Sequence, residues 1–273
     1  MNEITSKVAE LLSEVRNKKP LIHNITNYVT VNDCANVVLA IGASPIMADD
    51  IEEAADITAI SSALVINIGT LNARTVEVML SSVKKANELG IPIVFDPVGV
   101  GASVFRNKTT ETILSNAKIS VLRGNMSEIS FIAGLGATTK GVDAAEFDIT
   151  SNDGLAIATA VAKKLGCVVA ITGATDIISD GECTVTISNG HKMLSNVTGT
   201  GCMSTALVGA FCGATKDYFA AAIGGITSMG IAGEIAFEKA GNQGTGSFHI
   251  AIIDVISKLT HKVILERAKI DEA

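Results

Sequence analysis

The sequence contains no tryptophan, and aromatic residues of all kinds make up only 4% of it. The core must therefore be built from Ala, Ile, Val and Leu. Charge is scarce as well. Charged residues are 18% of the chain against 48% hydrophobic, a ratio that excludes disorder and suits a heavily buried globule. The net charge is −7 and no basic run appears, so neither nucleic acid nor an anionic membrane surface is expected as a partner. An anionic ligand has to be held by local groups.

Paired cysteines are missing too. Cys34, Cys167, Cys183, Cys202 and Cys212 form no C-x-x-C. An odd, irregularly spaced set in a chain this long points to reduced thiols and a cytoplasmic protein. The N-terminus, MNEITSKVAELLSEVR, is charged and helix-like and has no secretory apolar region. Nor is there a long uninterrupted apolar run, although the mean hydropathy is +0.42. The uncharged stretches Gly199–Thr215 and Tyr218–Gly233 are separated by Lys216-Asp217. Each falls short of the ~20 residues a spanning helix needs, and their glycines weaken insertion. Buried helices packed through small residues are expected instead.

Several chemistries are excluded by missing motifs. No Gly-Lys dipeptide occurs, so there is no Walker A loop. Gly99-Val100-Gly101 lacks the third glycine of a dinucleotide fingerprint, and neither H-E-x-x-H nor G-x-S-x-G is present. His23, His191, His249 and His261 are isolated and read as structural or solvated.

What is present is a rhythm. Apolar candidate strands at Leu21–Ile25, Leu64–Gly69, Ile91–Asp96, Ile119–Arg123 and Val168–Gly173 alternate with helical patterns. In Asn72–Leu89 the residues Val76, Met79, Leu80, Val83 and Ala86 share a face, and Gly90 stops the helix. The alternation is that of βαβ units around a mostly parallel sheet. After Gly173 the pattern changes to short strands at Asp176–Ser179 and Thr184–Ser188, joined by a turn at Asp180-Gly181. A helical tail of three helices begins at Gly199. With 273 residues and no linker or repeat, one domain over residues 1–273 is expected.

Ligands of open α/β sheets bind beyond the carboxyl ends of the strands. Those ends read Asn67-Ile68-Gly69-Thr70, Asp96-Pro97-Val98-Gly99, Arg123-Gly124-Asn125 and Thr172-Gly173, rich in Gly and small polar groups. The strongest segment is Val197-Thr198-Gly199-Thr200-Gly201-Cys202, followed directly by the apolar run Met203–Phe211. Glycines let the backbone approach an anion, the free N–H groups of a first helical turn point at it, and the dipole adds roughly half a unit charge. Gly199, Thr200 and Gly201 thus predict an anion hole for a phosphoryl group; a plain glycine turn before a buried helix is the competing account. Cys202 at the helix start is placed to take a proton from a substrate hydroxyl, or to hydrogen-bond to it. Asp96 at a strand exit and Glu128, five residues beyond Arg123, are candidate ligands for Mg²⁺, which takes one or two carboxylates while it neutralises phosphates.

These segments in this order resemble the hydroxyethylthiazole kinase family of the ribokinase-like superfamily. The likeness runs through Ile22-His23-Asn24-Ile25-Thr26-Asn27, Gly42–Ala48, Leu64–Leu71, Phe95–Gly101, Arg123–Glu128, Ile171–Gly173, Val197–Cys202 and Gly244–Phe248. The resemblance implies a ribokinase-like three-layer sandwich, with a mostly parallel central sheet flanked by helices. It implies ATP- and Mg²⁺-dependent phosphorylation of the hydroxyl of 4-methyl-5-(2-hydroxyethyl)thiazole, in a homotrimer whose sites lie between subunits. Met47, Gly199 and Asn27 are then expected at the thiazole, Arg123 and Thr172 at ATP, and Cys202 in the catalytic position. Most relatives in the superfamily carry Asp where Cys202 stands, and the family often has Ala at Thr200 and Pro at Thr245. Alternatives are a kinase of a pyrimidine or pyridoxal alcohol, a nucleotide-dependent dehydratase with a G-x-G-D turn, and a non-catalytic binding protein. Cys202 argues against the dehydratase, and the carboxylates Asp96 and Glu128 argue against binding alone.

Overall fold

The computed structural model describes residues 3–139 and 154–273. In chain order its elements are α1 (Glu3–Lys18), β1 (Leu21–Ile25), α2 (Val31–Ile41), β2 (Ser44–Ile46), α3 (Ala54–Ile60), β3 (Ala63–Asn67), α4 (Ala73–Leu89), β4 (Ile93–Asp96), α5 (Val104–Asn116), β5 (Ile119–Asn125) and α6 (Met126–Thr139). There follow α7 (Gly154–Leu165), β6 (Val168–Thr172), β7 (Asp176–Ser179), β8 (Thr184–Ile187), α8 (Thr200–Cys212), α9 (Tyr218–Ala240), α10 (Thr245–Lys258), α11 (His261–Arg267) and β9 (Ile270–Glu272).

The strands make one sheet in the order β2-β1-β3-β4-β5-β6-β7-β8-β9. The six on the β2 side pair in parallel, and β7, β8 and β9 pair antiparallel. Side chains alternate across the sheet. Val65, Val94, Val121 and Ala170 join the core under α1, α2, α8, α9 and α10. Leu64, Phe95, Leu122 and Val169 join the core under α4 to α7. The result is the expected three-layer α/β arrangement.

Local chemistry explains most boundaries. Asn72 and Thr75 form a reciprocal capping box at the start of α4, and Gly90, with φ +68°, ends it. Gly181, with φ +96°, supplies the turn between β7 and β8. The helices α8 and α9 are buried nearly all round and touch backbone to backbone. A Cβ at Gly225 would lie 2.6 Å from the Val208 nitrogen, and one at Gly209 would lie 2.3 Å from Val65 Cγ2. The long apolar helix Tyr218–Gln243 is therefore an interior one, with 83% of its most apolar window buried.

Two expectations are corrected, and one strand has no counterpart among those expected. The helical tail contains four α-helices rather than three, because Thr260 caps a further short helix, α11. The charged C-terminal segment folds as β9, whose alternation is too short to register as a strand. The edge strand β2 was equally invisible, being three residues that begin Ser-Pro. Proline suits it only because it lies at the sheet edge.

Candidate active site

The carboxyl ends of β1, β3, β4, β5 and β6 converge on the start of α8. Gly199 precedes that helix in the left-handed region, φ +88°, with no side chain among the described residues capping the first turn. A Cβ there would lie 2.5 Å from Thr30 Cγ2, and one at Gly201 would lie 2.8 Å from Arg123 Nη1. Glycine at both positions lets the sheet edge and the helix terminus close on one another. The hydroxyl of Thr200 donates to the Leu194 carbonyl at 3.1 Å, so it is directed at its own neighbouring loop.

Around Cys202 lies a buried polar chain whose orientation follows from one fact, that a carboxylate only accepts. Asp96 is fully buried on β4, and its Oδ2 accepts from Asn67 Nδ2 at 2.9 Å and from the Thr205 hydroxyl at 2.7 Å. Asn67 must therefore turn its oxygen towards Asn27, whose Nδ2 donates to it at 2.9 Å. That in turn points Asn27 Oδ1 at Thr30, taking its N–H at 3.2 Å and its hydroxyl at 3.1 Å. The second amide hydrogens of Asn27 and Asn67 are left for the Cys202 sulfur, at 3.2 and 3.3 Å. Gly69 closes the arrangement by donating its N–H to Asn67 Oδ1 at 2.9 Å, and a Cβ there would collide with Asn27.

Arg123 joins this chain to the next strand. Its Nη1 lies 3.4 Å from Asp96 Oδ2, and its Nη2 donates to the Thr172 hydroxyl at 2.5 Å. Burial pushes the Asp96 carboxyl up to about 6, against the pull of Arg123, with Thr205 and Asn67 also lowering it and Glu128 adding to the rise. Glu128 is buried at the start of α6 and accepts the N–H of Gly99 at 2.8 Å and of Asn125 at 2.8 Å, one on each oxygen. It thus staples the loop after β4 to the end of β5. Beyond Arg123 and Thr172 opens a cleft of about 510 Å³ that also takes in Gly173, Asp176 and Gly201. Asp176 accepts the Gly173 N–H at 2.9 Å.

Of the residues expected at a site, Cys202, Asn27, Asp96, Arg123 and Thr172 are brought into one hydrogen-bonded network, with Gly199, Thr200 and Gly201 at its edge. Glu128 joins through backbone. Met47 stands apart from that network, half-buried one residue beyond β2 and packed on the core that also receives Cys202. His23 is wholly buried beside it, bonded to the Ala48 carbonyl at 2.7 Å and to Thr58 at 2.9 Å, and is structural as expected. Sequence reasoning missed Asn67, Thr205 and Thr30. The only available signal was the position of Asn67 at a strand end.

The model of the hydroxyethylthiazole kinase family matches residues 12–262. The chain belongs to that family. A hydroxyethylthiazole kinase of Ruminiclostridium cellulolyticum is 72% identical over 272 residues and covers 100% of both chains. Among solved structures, that of a hydroxyethylthiazole kinase from Pyrococcus horikoshii OT3 superposes with a TM-score of 0.88 at 40% identity, covering 98% of this chain and 99% of that one. A ribokinase-like superfamily protein from Enterococcus faecalis shares the fold at 12% identity, with a TM-score of 0.65 over 92% of this chain and 89% of that one. The fold of this family member is therefore ribokinase-like.

Proposed function

We propose that the protein transfers the γ-phosphoryl group of ATP to the side-chain hydroxyl of 4-methyl-5-(2-hydroxyethyl)thiazole, working as one kinase domain. The single observation that carries this is the buried network centred on Cys202, set at the uncapped start of α8 and joined through Asp96 to Arg123. It supports the reading by bringing Cys202, for the alcohol, and Arg123, for the phosphates, close to backbone N–H donors that meet no side-chain acceptor among the described residues. Family membership supplies the substrate.

Each residue then has a task. The N–H groups at the start of α8 stabilise charge on the phosphoryl group as it moves, and no side chain among the described residues competes for them. Arg123 and Thr172 hold the nucleotide phosphates; the guanidinium is already oriented, which suits fork-like contact with phosphate oxygens. Cys202, fixed by two amide N–H donors, positions the attacking hydroxyl. Asn27 and Gly199 shape the thiazole side of the site, with Met47 beyond them. In a loose transition state such positioning matters more than early deprotonation.

The residues also fit a magnesium ion. Asp96 Oδ1 is buried and has no hydrogen-bond partner among the described residues, although three donors surround Oδ2. Asp96 would hold the ion, with Glu128 beside it using the lone pairs its two backbone partners leave. Bound there, Mg²⁺ would neutralise charge on the phosphates.

The protein is further proposed to act in the cytoplasm as a homotrimer with sites between subunits. Supporting this, Tyr28 and Val29, next to Asn27, are 77% and 56% exposed. A fully active monomer of 28.1 kDa in sedimentation would overturn the trimer. The deciding experiment for the activity is a panel of alcohols with ATP and Mg²⁺, followed by mass spectrometry of the products. Hydroxyethylthiazole is expected to react at the highest kcat/KM; faster turnover of hydroxymethylpyrimidine or pyridoxal would reject the proposal.

A further inference from the structure

The cleft has a second wall, formed by chain that shortly precedes Cys202. Residues Asn189, Gly190, His191 and Leu194 line it, in the segment between β8 and α8. This segment is built in place with unusual thoroughness for a loop. Asn189 is buried, and its side chain is saturated: Nδ2 donates to Glu234 Oε1 at 3.1 Å and to the Arg267 carbonyl at 2.9 Å, while Oδ1 accepts the Lys269 N–H at 2.8 Å. The Gly190 N–H donates to the same Glu234 oxygen at 3.1 Å, and Lys269 Nζ reaches it at 2.9 Å. Ser188 donates its N–H to the Lys269 carbonyl at 3.0 Å.

The partner surface on α9 is a single stripe. A Cβ at Gly230 would lie 2.7 Å from Asn189 Cβ, and one at Gly233 would lie 2.7 Å from Leu194 Cδ1. Phe237 stacks on the His191 ring, with centroids 3.6 Å apart and planes 19° from parallel. Positions 230, 233, 234 and 237 follow the i, i+3, i+4, i+7 spacing of one helix face. Two glycines admit the loop backbone, a carboxylate grips it and an aromatic ring seats its next residue. None of these four touches the Cys202 network in the bonds described above.

We infer that this stripe, with Asn189 and the Arg267–Lys269 segment, is a frame that fixes the nucleoside end of the ATP site, Glu234 and Asn189 being its positioning residues. The inference rests on the nucleotide-binding role proposed above. The phosphate-binding groups, Arg123, Thr172 and the start of α8, occupy one part of the cleft lining. A further part of the lining, beside Gly173 and Asp176, is the wall of Asn189, Gly190, His191 and Leu194, whose backbone must be held still to contact a flat heteroaromatic base. Gly190, with φ +135°, is in a conformation that side chains rarely adopt, so its bond to Glu234 selects one shape of the wall among several open to glycine. A shape held from outside the cleft controls nucleotide affinity without touching the transferred group.

The test separates KM from kcat. Glu234→Ala should raise KM for ATP about tenfold while kcat and KM for hydroxyethylthiazole stay within about twofold. Glu234→Gln keeps an accepting oxygen, so it should restore KM for ATP to within about threefold of wild type. A non-hydrolysable ATP analogue titrated calorimetrically into each variant should weaken in parallel. An unchanged KM for ATP in folded Glu234→Ala overturns the inference, as does a fall confined to kcat. If Glu234→Ala does not fold by circular dichroism, the half-exposed Phe237→Ala decides: analogue binding weakened about threefold supports the frame, and wild-type binding rejects it. Absence of ATP-dependent turnover by the wild type would instead remove the activity itself, an outcome distinct from both.

Discussion

The two sides of the proposed site are held by different means. On the acceptor side, Cys202, Asn27, Asn67 and Asp96 fix one another through side-chain bonds that run in series, each orienting the next. On the proposed nucleotide side, Asp176 holds Gly173 while Glu234 holds Asn189 and Gly190, two anchors that share no bond with each other. A series network transmits damage along its length; separate anchors contain it. Substitutions on the first side should therefore reach kcat, and those on the second should stay in KM for ATP or in stability.

Glu128 sits where the two sides meet, so it should show the largest effect. Glu128→Gln leaves one oxygen for a backbone N–H but presents an amide NH₂ to the other, which opposes donor to donor across Gly99 or Asn125. It also removes a charge beside the proposed metal position. Steady-state kinetics should show kcat lower by on the order of 10²-fold or more, with thiazole KM little changed. Turnover at the wild-type rate would detach Glu128 from the site.

Next comes the sulfur. Cys202→Ala should slow turnover by roughly 10²-fold, the low end for a proton-handling group, with nearly unchanged ATP affinity. Cys202→Asp should be tolerated, since the amides of Asn27 and Asn67 can donate to a carboxylate as they do to sulfur. Loss of all activity in Cys202→Asp, with the fold intact by circular dichroism, would mean that the thiol acts covalently.

Asn67→Ala probes the series itself. It leaves Asn27 Nδ2 and Asp96 each short of a buried partner, which should cost about 1–3 kcal/mol of stability in urea unfolding. The amide of Asn27 loses its fixed orientation, so kcat should fall as well. Stability lost with kcat unaltered would show that the acceptor side does not depend on the chain of bonds.

The smallest effect belongs to the nucleotide side. Burial pushes the Asp176 carboxyl up to about 6, although the Gly173 N–H and Arg123 pull it down. The folded state thus binds more protons than the unfolded one between about pH 4 and 6. This contribution to stability is present below pH 4 and is lost as pH rises through 6. Asp176→Asn keeps an acceptor for Gly173 and cannot ionise, so its Tm relative to wild type should be higher at pH 7 than at pH 4. The same Tm difference at both pH values would refute the assignment.

Much of this was legible beforehand for a simple reason. Five strands announce themselves as apolar runs bounded by Gly, Pro or small polar residues, and their ends carry Asn67, Asp96, Arg123 and Thr172. The glycine turn at Gly199–Gly201 was readable because a helix follows it at once. What stayed hidden was coupling. Asn67 reads as an ordinary turn-former until Asp96 and Cys202, 29 and 135 residues away, are seen to share its amide. Asn189 and Glu234 carry no signal at all, since each is an ordinary polar residue whose partner is supplied by the fold. Strand β9 was missed because its three residues are stabilised by pairing with β8 and not by their own pattern.

The backbone-to-backbone seat of α9 on α8 bears on motion. Amide hydrogens exchange with solvent only where the structure opens, and opening α8 means lifting Val208 out from beneath Gly225. The amide protons of α8 beyond its first turn should accordingly be among the slowest in the molecule to exchange. A helix that does not open cannot rearrange to meet a phosphoryl group. Its entropy is given up once, when the chain folds, and in the role proposed for them the donors at its start are already aimed before a substrate arrives.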